Sequence, residues 1–86
     1  MTFKQATAAH LASLASLGWA VSPTTLKVPH ATGPDGTRLY FKPQAVYAAP
    51  NKGPLGSARS LHCDSRTVPT AALVREGIEL ARSLSL

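Results

Sequence analysis

The stretch KVPHATGPDGTRLYFKPQ, residues 27 to 44, decides the centre of the fold because it carries the signals of a β-hairpin. Within it, Pro34 stands where a type I turn needs a fixed φ, and Asp35 follows. Gly36 stands where a bulged hairpin needs a positive φ. The two arms of this hairpin are rich in cations and aromatic residues, which raises the question of what their exposed face binds.

Two signals give different registers for this hairpin. A register that sets residue 32 opposite residue 37 separates an apolar face from a polar face. The apolar face then holds Leu26, Val28, His30, Leu39 and Phe41, and the polar face holds Lys27, Pro29, Arg38, Tyr40 and Lys42. A three-residue loop with a glycine bulge instead pairs Gly33 with Thr37 and mixes the two faces. We follow the hydrophobic pattern, which also sets Lys27 opposite Lys42.

The segment before the hairpin predicts a helix over residues 2 to 17. Its start has the T-x-x-Q form of a capping box, Thr2 to Gln5, and Gly18 supplies the left-handed residue that ends a helix. Trp19 is expected to fold back onto Leu14 in a Schellman motif. The core face holds Phe3, Ala6, Leu11, Leu14, Ala15 and Leu17, with His10 near its edge as a structural histidine.

The segment after the hairpin completes the order of elements. The second strand breaks at Pro43 and resumes as QAVYA, and a loop at residues 49 to 60 leads to a third strand, SLHCDSR. A final helix begins around Val68 to Thr70. We therefore expect one α+β domain over residues 1–86, ordered helix-strand-strand-strand-helix. Its three-stranded antiparallel sheet has both helices packed on one face.

This element order resembles that of double-stranded-RNA-binding domains, which also run helix, three strands, helix. The resemblance covers most of the chain, and the Gly33-Pro34 pair falls in the corresponding hairpin loop. Such domains carry a lysine cluster at the start of the second helix. Here that position reads RTVPTAALVRE, with Arg66 and Arg75 as its cations. The resemblance therefore implies a topology and does not carry the RNA contact.

Composition and cysteine content set the class of protein. With 86 residues, 44% of them hydrophobic and 15% charged, the chain can close one small core. Because so small a core contributes little stability, the alternatives of a homodimer or of ordering on a partner stay open. No apolar run approaches the roughly 20 residues of a membrane span, and the first segment is spaced like a helix face rather than a signal peptide. A single cysteine, Cys63, indicates a reducing, cytoplasmic setting.

The net charge of +5 lies entirely in the first 66 residues. There, seven cations face two carboxylates: Lys4, Lys27, Arg38, Lys42, Lys52, Arg59 and Arg66 against Asp35 and Asp64. A sequence pI near 10.0 favours an anionic partner. The alternative is that a basic surface merely keeps a small protein in solution.

The residue types that commonly act in catalysis or bind metals do not form such a site in this sequence. In a strand, Cys63 points away from His62 and Asp64, so these three cannot form a triad, and two ligands fall short of a zinc site. The glycine spacing in KGPLG is that of a KH-domain loop, but here it connects strands rather than helices. We expect no enzyme activity, cofactor or metal.

The sequence leaves two hypotheses of function. In the first, the hairpin face and the basic loop bind DNA or RNA, with phosphates on the cations and bases on the aromatic ring. Its site residues are Lys27, Arg38, Tyr40, Lys42, Lys52, Arg59 and Arg66. In the second, the chain is a homodimeric or inhibitory interaction module of the kind that phages and mobile elements encode. It would bind an acidic protein partner through a sheet edge or through Trp19, Tyr40 and Tyr47.

Overall fold

The computed structural model of this chain describes residues 2–23, 27–42, 45–50, 58–61 and 66–84. These residues form two helices with five strands between them, so the protein is α+β. The elements in chain order are α1 Phe3–Ser16, β1 Ala20–Val21, β2 His30–Thr32, β3 Arg38–Lys42, β4 Ala45–Ala49, β5 Arg59–Ser60 and α2 Thr70–Leu84. Every strand pairs antiparallel with its neighbour in the sequence, which gives the sheet order β1-β2-β3-β4-β5.

The prediction of a three-stranded sheet is wrong, because two strands were not recognised. β1 lies in the segment expected to be a linker, where Ala20 pairs with Thr32. β4 was expected to continue the hairpin's second strand, yet it runs antiparallel to β3 with Lys42 opposite Ala45. The chain therefore reverses direction between these two residues. Five strands in a meander also depart from the element order of double-stranded-RNA-binding domains.

The hairpin of β2 and β3 adopts the register that the turn chemistry favours. His30 lies opposite Tyr40, and the Gly33 N–H donates to the carbonyl of Thr37 at 2.8 Å. Gly36 has φ +88°, the left-handed conformation of a bulged three-residue loop. The Asp35 carboxylate accepts hydrogen bonds from the Thr37 N–H at 3.1 Å and from its hydroxyl at 3.0 Å. The register that followed the hydrophobic pattern is wrong.

This register changes which residues of the first hairpin arm face the core. Ala31 is opposite Leu39, and both are fully buried, while Pro29 is also buried. His30 instead lies on the side of Tyr40. Lys27 occupies a bend ahead of β2. The expectation that it lies opposite Lys42 is wrong, because it rested on the other register.

Helix α1 has both of the ends that its sequence predicts. The Thr2 N–H donates to Gln5 Oε1 at 2.9 Å, and the Gln5 N–H donates to Thr2 Oγ1 at 3.2 Å, which completes the capping box. At the other end Gly18 has φ +92°, and the Trp19 N–H donates to the Leu14 carbonyl at 3.0 Å. This is the Schellman arrangement, and the Trp19 side chain is only 7% exposed.

The core joins both helices to the central strands. His10 of α1 is buried, with its ring stacked on that of Phe41 at 5.8 Å between centroids. Its Nδ1 is hydrogen-bonded to Thr70 Oγ1 of α2 at 2.7 Å, so it is a structural histidine as predicted. The core cluster contains Leu11, Leu14, Trp19, Ala31, Leu39, Phe41, Val46, Ala48 and Leu73. Within the described part of the chain, no helix is long and apolar enough to cross a membrane.

Candidate binding face

The central strand β3 separates a buried side from an accessible side. Leu39 and Phe41 are fully buried, and the residues that alternate with them are half-buried or exposed. These alternating residues are Arg38, Tyr40 and Lys42. We call the side of the sheet on which they lie the Tyr40 face. Three of the predicted site residues therefore lie on one surface.

Three aromatic rings lie next to one another across this face. Tyr40 of β3 is directly opposite Tyr47 of β4, and directly opposite His30 of β2 on its other side. The rings of His30 and Tyr40 have centroids 5.8 Å apart and are tilted by 38°. Residues opposite each other on neighbouring strands have Cβ atoms about 4.5–5.5 Å apart, so Tyr40 and Tyr47 are also neighbours on this face.

A shallow depression of about 250 Å³ lies on the same face. It is lined by Val28, Tyr40, Lys42, Tyr47 and Ala58. Pockets for drug-sized ligands have volumes of roughly 300–1,000 Å³, so this depression is suited to a single flat ring or a small side chain. Among the described lining residues, most of the surface is apolar and one residue is a cation.

That cation is Lys42, whose amine lies 5.0 Å from the centroid of the Tyr47 ring. The side chain is exposed, so this cation–π contact contributes roughly 0.5–1 kcal/mol. A contact of this size holds the ammonium near the depression without fixing it there. Lys42 can therefore turn towards an anion that reaches the face.

Arg38 has a different role, because its guanidinium is bound within the protein. Nη2 and Nε donate to the carbonyl of Pro50 at 2.9 and 3.3 Å, and Nη1 donates to the Tyr40 hydroxyl at 3.4 Å. These bonds connect β3 to the residue that follows β4. They also hold the Tyr40 ring by its hydroxyl, so Arg38 positions the face more than it offers a charge to a ligand.

The other predicted site residues that the structure describes lie outside β3, the strand that carries Arg38, Tyr40 and Lys42. Lys27 is exposed in the bend ahead of β2, and Arg66 is exposed in the turn ahead of α2. Arg59 of β5 pairs with the buried Ala48, so it lies on the side of the sheet opposite to Tyr47, and its Nη1 donates to the Ala58 carbonyl at 3.0 Å. Lys52 lies outside the described residues, as do His62, Cys63 and Asp64.

Two ring-bearing residues of the face were not among the predicted site residues. His30 was assigned to the core because the hydrophobic pattern gave the wrong register, although the turn chemistry pointed to its true position. Tyr47 was considered only as an anchor for a protein partner, because its place depended on the path of the chain after β3. No group of three or more histidine, cysteine, aspartate or glutamate side chains that could hold a metal occurs among the residues the structure describes.

Comparisons of this chain with protein-family models, with curated proteins and with solved structures give no match. The function is therefore argued from the geometry of the Tyr40 face and from the charge of the chain.

Proposed function

We propose that this protein is a small, non-enzymatic binding protein that binds nucleic acid, DNA or RNA, on the Tyr40 face. The observation that carries the proposal is the pairing of Tyr40 with Tyr47 beside a depression that Lys42 borders. Aromatic rings offer stacking surfaces to bases, and an exposed ammonium pairs with phosphate. The two kinds of contact that nucleic acid needs are thus adjacent.

The proposal includes an arrangement of layers in which α1 and α2 cover the opposite side of the sheet. Its support is that His10 of α1 stacks on Phe41, while Gly77 of α2 adjoins Leu39, and both partners belong to the buried side of β3. Helices on that side leave the Tyr40 face accessible to a ligand.

The charge of the chain supports an anionic ligand. The net charge is +5, and exposed cations outside β3, such as Lys27, add to the positive field around the face. Such cations increase the rate of encounter and make binding sensitive to salt without specifying where a base is held. The single cysteine, Cys63, supports the cytoplasm as the place of action, since thiols stay reduced there.

The test is fluorescence anisotropy with labelled single- and double-stranded DNA and RNA at two salt concentrations. We expect Lys42→Glu to weaken binding about tenfold or more, because it replaces a charge-assisted contact with repulsion. The matched control is Lys4→Glu, which makes the same change of charge on the exposed first turn of α1. It should stay within about threefold of the unaltered protein, because distant charges are screened.

Two outcomes contradict this proposal. An equal loss of affinity in the two variants would mean that the net charge alone attracts the nucleic acid. Absence of binding to every probe at low salt would mean that the face has another ligand.

The second candidate function is self-association, or docking of a protein partner, at the junction of α1 and β1. The observation that favours it is the exposure of two large apolar side chains there, Leu17 at 59% and Val21 at 38%. The expectation that Leu17 belongs to the core face of α1 is therefore wrong. β1 is also an edge strand of the described sheet, and edge strands can pair with another chain. Light scattering over a range of protein concentrations tests it. A dimer that Leu17→Gln dissociates supports this function, and a monomer at all concentrations contradicts self-association.

A further inference from the structure

We infer that the ligand of the Tyr40 face is single-stranded nucleic acid, one base of which enters the depression and stacks on the ring of Tyr47. This inference rests on the proposed function and adds to it the class of nucleic acid and the role of each side chain. It follows from the kinds of contact that the face offers.

The face has few cations for a duplex ligand. Proteins that bind duplex DNA commonly make about 6–10 phosphate contacts, which supply most of the affinity. The paired strands β2, β3 and β4 place two cations on the Tyr40 face, Lys42 and Arg38, and the guanidinium of Arg38 donates to the Pro50 carbonyl. A face of this kind would bind a duplex weakly.

The face is instead rich in rings, which a duplex cannot use. Bases within a duplex are stacked on each other, so their faces are closed to protein side chains. In a single strand every base has an accessible face, and stacking on aromatic side chains provides affinity for any sequence. The row of His30, Tyr40 and Tyr47 spans three neighbouring strands, so it offers such surfaces side by side.

The contacts of each ring assign different roles to the two tyrosines. The Tyr40 side chain is held at its hydroxyl by Arg38 and at its ring by the neighbouring ring of His30, so it forms a wall of the depression. The amine of the exposed Lys42 lies over one face of the Tyr47 ring, 5.0 Å from its centroid. Because exposed cation–π contacts are weaker than base stacking, a base can take this place.

When a base displaces the amine of Lys42 from the Tyr47 ring, Lys42 can bind a phosphate instead. Its flexible stem keeps the ammonium within reach of the depression when a base covers the ring, and the backbone of the bound strand brings a phosphate to the same border. Lys42 thus passes from the Tyr47 ring to a phosphate as the base enters. The bound strand is expected to be recognised with little dependence on its sequence, because the contacts are a ring face and a charge.

The experiment compares a short labelled single strand of mixed sequence with the same strand annealed to its complement. We expect tighter binding of the single strand, and a loss of about fivefold to 150-fold in Tyr47→Val, which keeps a strand-forming side chain but removes the ring. The matched control is Tyr47→Phe, which keeps the ring and should stay within about twofold.

A second pair of variants tests the role of Lys42 separately. For a single strand, the slope of log affinity against log salt concentration should become shallower by about 0.7 in Lys42→Gln, the value for one phosphate contact. Lys4→Gln removes the same charge from α1 and should leave the slope unchanged.

The outcomes separate this inference from the proposed function. Duplex bound as tightly as the single strand, or equal affinities of Tyr47→Val and Tyr47→Phe, would overturn the inference and leave nucleic-acid binding intact. No binding of either form would overturn both. If Tyr47→Val does not fold, a strand carrying 2-aminopurine tests the unaltered protein, and an emission that does not change on binding overturns the stacking.

Discussion

Replacement of Gly77 by alanine tests how closely α2 lies against the sheet. Gly77 is buried in the middle of α2, and a Cβ atom added there would lie 2.6 Å from Cδ2 of Leu39. Leu39 is itself fully buried, so its side chain has little space into which to turn. Carbon atoms in contact are normally about 3.5–4.0 Å apart, so the new methyl group would be about 1 Å too close.

Two effects of opposite sign set the change in the free energy of unfolding that Gly77→Ala causes. Alanine in a helix interior is favoured over glycine by about 0.8–1 kcal/mol. Overpacking a well-packed core costs about 1–3 kcal/mol. Gly77→Ala should therefore lower the free energy of unfolding by about 0–2 kcal/mol. The sharper expectation is a change of sign in a Leu39→Val background, where Cδ2 is absent and Gly77→Ala should raise the free energy of unfolding by about 1 kcal/mol.

The assay is a double-mutant cycle of four proteins unfolded in urea, with the emission of the buried Trp19 as the signal. Leu39→Val alone should cost about 1 kcal/mol, which leaves a small domain folded enough to measure. The coupling between the two substitutions should be about 1–3 kcal/mol. A coupling below about 0.5 kcal/mol is the result expected of independent sites, and it would refute the close approach of α2 to β3.

Substitutions at three further positions test local features by thermal unfolding. Thr2→Ala removes the hydroxyl that accepts from the Gln5 N–H in the capping box and should cost about 1 kcal/mol, seen as a fall in Tm of about 4–8 °C, whereas an unchanged Tm would mean that water replaces the cap. Thr7→Val should leave stability unchanged or raise it by about 1 kcal/mol, because the buried Thr7 hydroxyl has no hydrogen-bond partner among the described residues, and a clear loss would reveal such a partner. Gly36→Ala should cost about 1–2 kcal/mol at φ +88°, and Gly36→Asn should cost less, so equal costs would contradict the left-handed turn.

The features that the sequence predicts correctly are those fixed by neighbouring residues. The ends of α1 follow from Thr2 with Gln5 and from Gly18, because caps depend on groups within one helical turn. The start of α2 near Thr70 is also local in origin. Such signals need no knowledge of the partner strands.

The register of the hairpin shows where a periodic pattern misleads. The core side of β2 is formed by Ala31 with the preceding Pro29, two residues of low hydrophobicity, whereas Val28 lines the depression. A pattern that ranks side chains by hydrophobicity therefore chooses the wrong face. The geometry of the turn with Gly36 is a stronger constraint, because a one-residue slip would break the Gly33 to Thr37 hydrogen bond.

Local sequence signals do not predict the position of Tyr47. Nothing in Pro43-Gln44 resembles the Asn-Gly or Asp-Gly pairs typical of a tight hairpin, so the sequence from Leu39 to Ala49 reads as one interrupted strand. Whether the chain bends or reverses there is decided by the pairing of β4 with β3, a tertiary effect. The candidate site depends on that reversal, since it is what sets Tyr47 opposite Tyr40.

The meander of the sheet has a consequence for the order of events in folding. Each strand pairs with its neighbour in the sequence, so the sheet can form by a succession of short loop closures. The hydrogen bond between His10 and Thr70 joins residues 60 positions apart and brings the two helices together. Because this contact closes a loop far longer than those between neighbouring strands, it belongs late on the pathway. Thr70→Val should therefore accelerate unfolding and leave the folding rate almost unchanged.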